Sequence, residues 1–363
     1  MDTAKVVGKP AFASFIERQA EEVSVVAPVA RAAGEFSYGE VQDASSLEEE
    51  EYIPTLSSPK KYLLPPQEAL FRFSSPADAA VHEGEELEYT ADVEQKRRIL
   101  LAVRPCDIAA IHRMDQVFSD TEPDPHYLAR RRAAIIIGLD CLEPCDELAF
   151  CAAVGTSDAD EGFDLLLTDL GEDWLVRVGT DQGAELLEEC QEIRDATEQD
   201  LQRLKDVVQA KEKVFRKCQE RLDFPGEDIP EVLEGSEDSP VWDEYGDRCL
   251  GCGRCNLVCP TCFCFDVEDT VSLDLKEGER TRRWDGCTLL EFAAVAGGEN
   301  FRRERSDRLR HMFLHKGKYG PERYGDLYCI GCGRCARTCL AGIDHPEVYN
   351  ALMRHRDKGD DHG

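Results

Sequence analysis

Four cysteines at Cys249, Cys252, Cys255 and Cys259 are repeated at identical intervals by Cys329, Cys332, Cys335 and Cys339. The spacing Cys-x2-Cys-x2-Cys-x3-Cys wraps three thiolates around one iron-sulfur cube and sends the fourth to a neighbouring cube. Two copies therefore predict two [4Fe-4S] clusters with exchanged ligands. One set is Cys249, Cys252, Cys255 and Cys339, and the other is Cys329, Cys332, Cys335 and Cys259. Pro260 follows Cys259 as the pattern has it, whereas Leu340 follows Cys339. Structural zinc also takes four thiolates, but zinc ribbons use separated Cys-x-x-Cys knuckles rather than three short steps and a distant fourth ligand. Cys255, Cys259 and Cys262 also match Cys-x3-Cys-x2-Cys, a spacing that leaves one iron open, but upstream Cys249 and Cys252 and the second run argue against that reading.

The chain has 363 residues, enough for two or three domains. Its 74 acidic against 43 basic side chains give a formal charge of -31, which opposes nucleic-acid binding. Seventeen cysteines gathered at metal spacing point to a reducing cytoplasm rather than a secreted disulfide scaffold. The charged first twenty residues lack the apolar core of a signal peptide, and no apolar run is long enough for direct membrane insertion. No G-x-G-x-x-G fingerprint, phosphate-binding loop, HExxH or serine triad is present. One-electron transfer is the chemistry left, and a wire needs a donor and an acceptor on other subunits.

Positioning those cysteines requires a fold. Ile99–Val103 reads as a buried strand, Asp107–Val117 as a helix capped by Asp107, and Ala133–Ile137 as a second strand, together a crossover in a parallel or mixed sheet. Phe163–Val178 alternates as an antiparallel hairpin turning at Gly171-Glu172-Asp173. Ala184–Leu222 predicts one or two long helices broken near Asp195, and the acidic stretch Asp223–Ser239 predicts a linker. The stretch before residue 75, with its acidic run Glu48–Glu51, reads as loop-rich. The fold class is thus an α/β N-terminal domain plus a C-terminal α+β two-cluster ferredoxin-like domain with a helical insertion. Its divisions are 1–180, 181–240 for long helix and linker, and 241–363. The insertion between Cys259 and Cys329 carries Arg280, Arg282, Arg283, Arg302, Arg303, Arg305, Arg308 and Arg310. An Arg-rich helix there would dock an acidic partner or neutralise cluster charge; an ordinary solvated face is the plainer alternative.

Cys106 and Cys141 each lie just past a strand. In a parallel pair both would occupy the carboxyl edge, where open α/β sheets place ligands. With Cys145 and Cys151 they offer a third cluster site, near Arg104 and Asp107; small buried cysteines are the competing reading. Cys190 and Cys218 read as packing residues on helices. Cys262, Cys264 and Cys287 are unassigned: Cys262 and Cys264 either pack against the first run or supply ligands to a further site, and packing is the plainer reading because alternate strand residues face opposite ways.

The segments CLGCGRCNLVCPTCFCFDVED, RRWDGC, AGGENFR, HKGKY and YCIGCGRCARTC resemble the β subunit of sulfhydrogenase-type nickel-iron hydrogenases and the corresponding iron-sulfur subunit of anaerobic sulfite reductase. RPCDIAAIHRMDQVF and FDLLLTDLG resemble that family's N-terminal region. Ala149-Phe150-Cys151 departs from its Cys-Phe-Cys group. The resemblance implies a non-catalytic electron-transfer subunit, working between hydrogenase or reductase catalytic subunits and a flavin- and NAD(P)H-binding subunit. The alternatives are a catalytic iron-sulfur enzyme binding substrate near Cys106 and Cys141, and a scaffold whose clusters only hold the fold.

Overall fold

A computed structural model describes residues 4–32, 35–42, 55–75 and 87–360; the acidic run Glu48–Glu51 lies outside the described residues. Among these residues twelve strands form two sheets. They are β1 (Lys5–Gly8), β2 (Ser24–Ala32), β3 (Glu35–Val41), β4 (Gln67–Ser74), β5 (Glu88–Ala91), β6 (Arg98–Val103), β7 (Ala134–Leu139), β8 (Leu165–Asp169), β9 (Asp173–Val178), β10 (Arg194–Asp195), β11 (Phe265–Val271) and β12 (Glu277–Trp284). The larger sheet runs β10-β1-β9-β8-β7-β6-β2-β3, with β2, β6, β7 and β8 parallel at its centre and antiparallel strands on both sides.

Both faces of the parallel centre are buried, which is why its strands are continuously apolar. Ile99, Leu101, Ile135, Ile137, Leu165 and Leu167 meet the helices Lys9–Glu22 and Asp181–Glu188 through Phe12, Phe15, Ile16, Leu186 and Leu187. Leu100, Ile136 and Leu166 point the other way, onto Ile108, Ile111, Met114 and Phe118 of the helix Pro105–Ser119 and Tyr127 of the helix Pro125–Ala133. Near its end β6 loses register between Leu101 and Val103, and Ala102 takes φ +57°. This bulge re-aims the chain immediately before Cys106.

The smaller sheet, β11-β12-β4-β5, corrects the expected helical insertion. Residues after Cys264 form a hairpin that recruits β4 from the N-terminal half, so Arg280, Arg282 and Arg283 lie on a strand, while Arg305, Arg308 and Arg310 lie on the helix Arg305–Leu314. The β-branched residues of β11, Val267, Thr270 and Val271, suit an extended chain. Arg282 is buried between Glu68 and Asp124 and so is no solvated charge.

Two further expectations change. The stretch 223–239, expected to be a linker, is folded: Phe224, Ile229, Val232 and Leu233 join Trp242, Leu309, Phe313, Val348 and Tyr349 in a C-terminal core. Asp107 does not cap its helix, which starts at Pro105 with Arg104 at the N-cap; its carboxylate is drawn instead to Arg334. The break near Asp195 is a short strand, after which Thr197 and Asp200 form a reciprocal capping box for the helix Glu198–Gln219.

Candidate metal centre

Both cysteine runs use one backbone design. Gly251 and Gly253, then Gly331 and Gly333, take left-handed φ values of 61°, 73°, 64° and 71°, turning the chain into the short helices Arg254–Val258 and Arg334–Thr338. Glycine is required at 331 for space as well, since a Cβ there would stand 2.6 Å from the backbone of Phe150 and Cys151. That loop is also tied down by Phe150 N–H donating to Gly331 O at 2.7 Å and Thr156 Oγ1 donating to Ile330 O at 2.7 Å.

Cys259, from the first run, lines the same cavity as Cys329, Cys332 and Cys335 from the second. Thiols from both runs therefore face one space, Cys259 and Cys255 from the first and Cys329, Cys332 and Cys335 from the second. Cys249, Cys255 and Cys339 pack against the C-terminal core, and Cys252 is exposed. Backbone donors approach the sulfurs, Gly251 N–H to Cys249 Sγ at 3.4 Å and Ile343 N–H to Cys339 Sγ at 3.3 Å. Such N–H groups favour an anionic or metal-bound sulfur.

Burial pushes the Cys329 thiol up to about 12 and raises Cys332 and Cys335. A metal that takes the thiolate removes that penalty, which is how ligand burial and metal affinity become coupled. Cys259 goes the other way: a hydrogen bond from Cys262, the Lys316 ammonium, the Thr261 hydroxyl and Lys60 hold it well below the usual thiol range against the opposing effect of burial. Lys60 and Lys316 are both buried, and neither has a carboxylate partner among the described residues. Buried ammoniums need anions, and cluster thiolates fit that need.

The N-terminal thiols also converge. Cys106 follows β6 and Cys141 follows its parallel neighbour β7, at one edge of the sheet. The neighbouring Cys145 thiol is the largest influence holding the Cys141 thiol below its usual range. Cys106 and Cys151 share a buried cluster with Cys218, and Cys141 and Cys332 pack against it. Cys218, expected to be a packing residue, has its Sγ 3.9 Å from that of Cys151. It arrives from a helix 67 residues along the chain, and sequence spacing carries no signal of that approach. Beside this group, Asp107 and Arg334 form a fully buried bidentate pair with both contacts at 2.7 Å.

Cys262, Cys264 and Cys287 also line one cavity. The alternation argument fails because regular strand geometry begins only at Phe265. Cys190, by contrast, is buried in the core of the large sheet. Among the described residues no helix is long and apolar enough to cross a membrane.

Residues 248–343 match the family described as 4Fe-4S dicluster domain. Across 342 residues the chain is 37% identical to sulfhydrogenase 2 subunit beta of Pyrococcus furiosus, covering 94% of this chain and 96% of that protein. No solved structure matches. An alignment running through the α/β sheet, the strand-bearing insertion and both cysteine runs means that this chain belongs to the sulfhydrogenase β-subunit family.

Proposed function

We propose that the chain is an electron-transfer iron-sulfur subunit, relaying electrons between the catalytic subunits of a nickel-iron hydrogenase and a flavin- and NAD(P)H-binding subunit, in the cytoplasm. The observation that carries this reading is the cavity shared by Cys259 and the second cysteine run. Two [4Fe-4S] clusters are assigned to Cys249, Cys252, Cys255 and Cys339, and to Cys329, Cys332, Cys335 and Cys259. Clusters of this kind exchange one electron each, which suits traffic between a two-electron flavin and a metal centre. The chain's own part is to bind them, bury them and set their surroundings. Lys316 places positive charge at Cys259 and Cys329, and N–H groups point at Cys249 and Cys339. Both features stabilise added negative charge and so favour the reduced cluster.

A third cluster at Cys106, Cys141, Cys145 and Cys151 extends the reading, supported by their convergence beside Cys332. The free cysteines suit a reducing compartment. The test replaces Cys252 or Cys332 by Ala in the assembled complex. Each change should remove about four irons and abolish NAD(P)-linked turnover while the catalytic subunits still react with artificial dyes. Undiminished NAD(P)-linked turnover in both variants would refute the relay.

A further inference from the structure

Three of the four cysteines outside the paired runs and the N-terminal group, Cys262, Cys264 and Cys287, meet polar donors as well as apolar packing. Cys262 and Cys264 follow the first run directly, Cys287 follows β12, and all three face a cavity of about 310 Å³ whose walls include His311 and His315. Asn256 is buried with its Nδ2 3.6 Å from Cys262 Sγ and 3.5 Å from Cys287 Sγ. Its Oδ1 accepts from Thr288 N–H at 3.2 Å, which turns the NH2 group toward the sulfurs. A carboxamide NH2 supplies two donors, and two sulfurs are what it meets. Donors of that kind tune metal-bound thiolates from outside the ligand set.

Charge points the same way. Lys60 donates to the carbonyls of Cys259 at 3.0 Å and Cys262 at 2.9 Å, and lies 3.9 Å over the Trp284 ring. Lys316 donates to Thr261 Oγ1 at 2.9 Å. Two buried lysines therefore flank the segment from Cys259 to Cys264: the sulfurs hold Lys316 up, whereas burial pulls Lys60 down despite the opposing sulfurs. The cluster assigned to Cys259 and Cys329 supplies an anion for Lys316, and an anionic centre on the Cys262 and Cys264 side would offset the burial of Lys60.

We infer that Cys262, Cys264 and Cys287 hold a further iron-sulfur cluster, distinct from the two assigned to the paired runs. Among the described residues no three His, Cys, Asp or Glu groups are gathered tightly enough for a single metal ion. A polynuclear cluster, whose ligands stand at separate corners, accepts a wider spacing. Three thiolates leave one corner, and His311 or His315 is placed to fill it, histidine being a known substitute for cysteine on such irons.

The experiment measures iron, acid-labile sulfide and zinc in the anaerobically purified full chain and in Cys264→Ser and Cys287→Ser variants. Iron and sulfide should fall together, by at least about two of each per chain, while the reduced-state EPR signals assigned to the paired runs persist and report intact folding. Unchanged iron and sulfide, or loss of one zinc without sulfide, overturns the inference. If the serine variants fail to fold, a Cys106→Ala chain decides: with the N-terminal contribution removed, iron above about eight supports the further cluster and eight or fewer overturns it. Cys252→Ala run in parallel separates the two readings, since the paired-run assignment fails if that variant keeps all its iron whatever happens at Cys264 and Cys287.

Discussion

Replacing Asp107 tests whether the α/β sheet and the second cysteine run are locked together by charge. Arg334 lies between Cys332 and Cys335, and its guanidinium meets Asp107 through two 2.7 Å contacts, with side-chain exposures of 2% and 1%. A partner removed from so deep a pair leaves a buried charge uncompensated, a loss of roughly 3–5 kcal/mol. Arg334 retains Nε donation to Thr55 O at 2.8 Å, which places Asp107→Asn toward the lower part of that range. Against a total stability of about 5–15 kcal/mol the change is large. The assay is urea unfolding under anaerobic conditions, followed by far-ultraviolet circular dichroism and by iron release. Asp107→Asn should lower the midpoint and release iron earlier, because Arg334 positions the loop carrying Cys332 and Cys335. The double variant Asp107→Leu with Arg334→Met should recover most of the loss, since replacing both charges by apolar groups removes the unpaired ion. An Asp107→Asn protein within about 1 kcal/mol of the parent would refute the reasoning.

Gly331→Ala combines a left-handed backbone, about 1–2 kcal/mol, with overpacking against Phe150 and Cys151, about 1–3 kcal/mol. Gly325→Ala, also at positive φ but in open space, should show only the first effect; thermal unfolding of both variants separates the two contributions. Asp200 is held well below the usual carboxylate range by Arg194, the Thr197 hydroxyl and the Thr197 N–H. Its native pKa is depressed, so its contribution is complete above the unfolded value of about 4 and is lost as pH falls through the native one. Asp200→Ala should therefore cost about 0.5–2 kcal/mol near neutral pH, and the difference should shrink progressively below about pH 4 in denaturant titrations.

Residues that carry short-range chemistry are legible in the sequence, and those that depend on distant approach are not. Continuous apolar runs at Ile99–Val103 and Ala133–Ile137 identify the parallel centre because strands covered on both faces have no polar side. The hairpin turning at Gly171 is equally plain from its alternation. The helix Pro125–Ala133, wedged between a turn and a strand, offers too few turns for periodicity to register. The arginines of the insertion suggest a helix, docking a partner, neutralising cluster charge or simply solvated, whereas alternate residues of β12 face opposite ways and Arg282 turns inward to Glu68. Composition likewise marks 223–239 as a linker, although four apolar residues among its acids are enough to anchor it in the core. Cysteine spacing identifies the paired runs; it is silent on Cys218, which only the long helix brings to Cys151.

The way the thiols adjoin one another bears on how a relay would run. The N-terminal group abuts Cys332 through shared packing. Cys332 faces the cavity it shares with Cys259, and Cys255, the preceding cysteine of the first run, stands at that cavity's wall. Cys255 belongs to the run whose Cys252 is exposed, with Leu250, Leu257 and Leu340 exposed around the same loops. The order of contact is therefore buried sheet edge, second run, first run, surface. If the assigned clusters occupy these places, the first-run end is the face available to a partner subunit, and the sheet-edge group lies farthest from that exposed loop along the order of contact. A surface charge change beside Cys252, such as Arg254→Glu, should then slow exchange with the partner and steepen its salt dependence without loss of iron, whereas Cys106→Ala should lose iron and leave that salt dependence alone. Stopped-flow reduction by the partner at several ionic strengths distinguishes the two, and an Arg254→Glu chain with unaltered rates at low salt would place the docking face elsewhere.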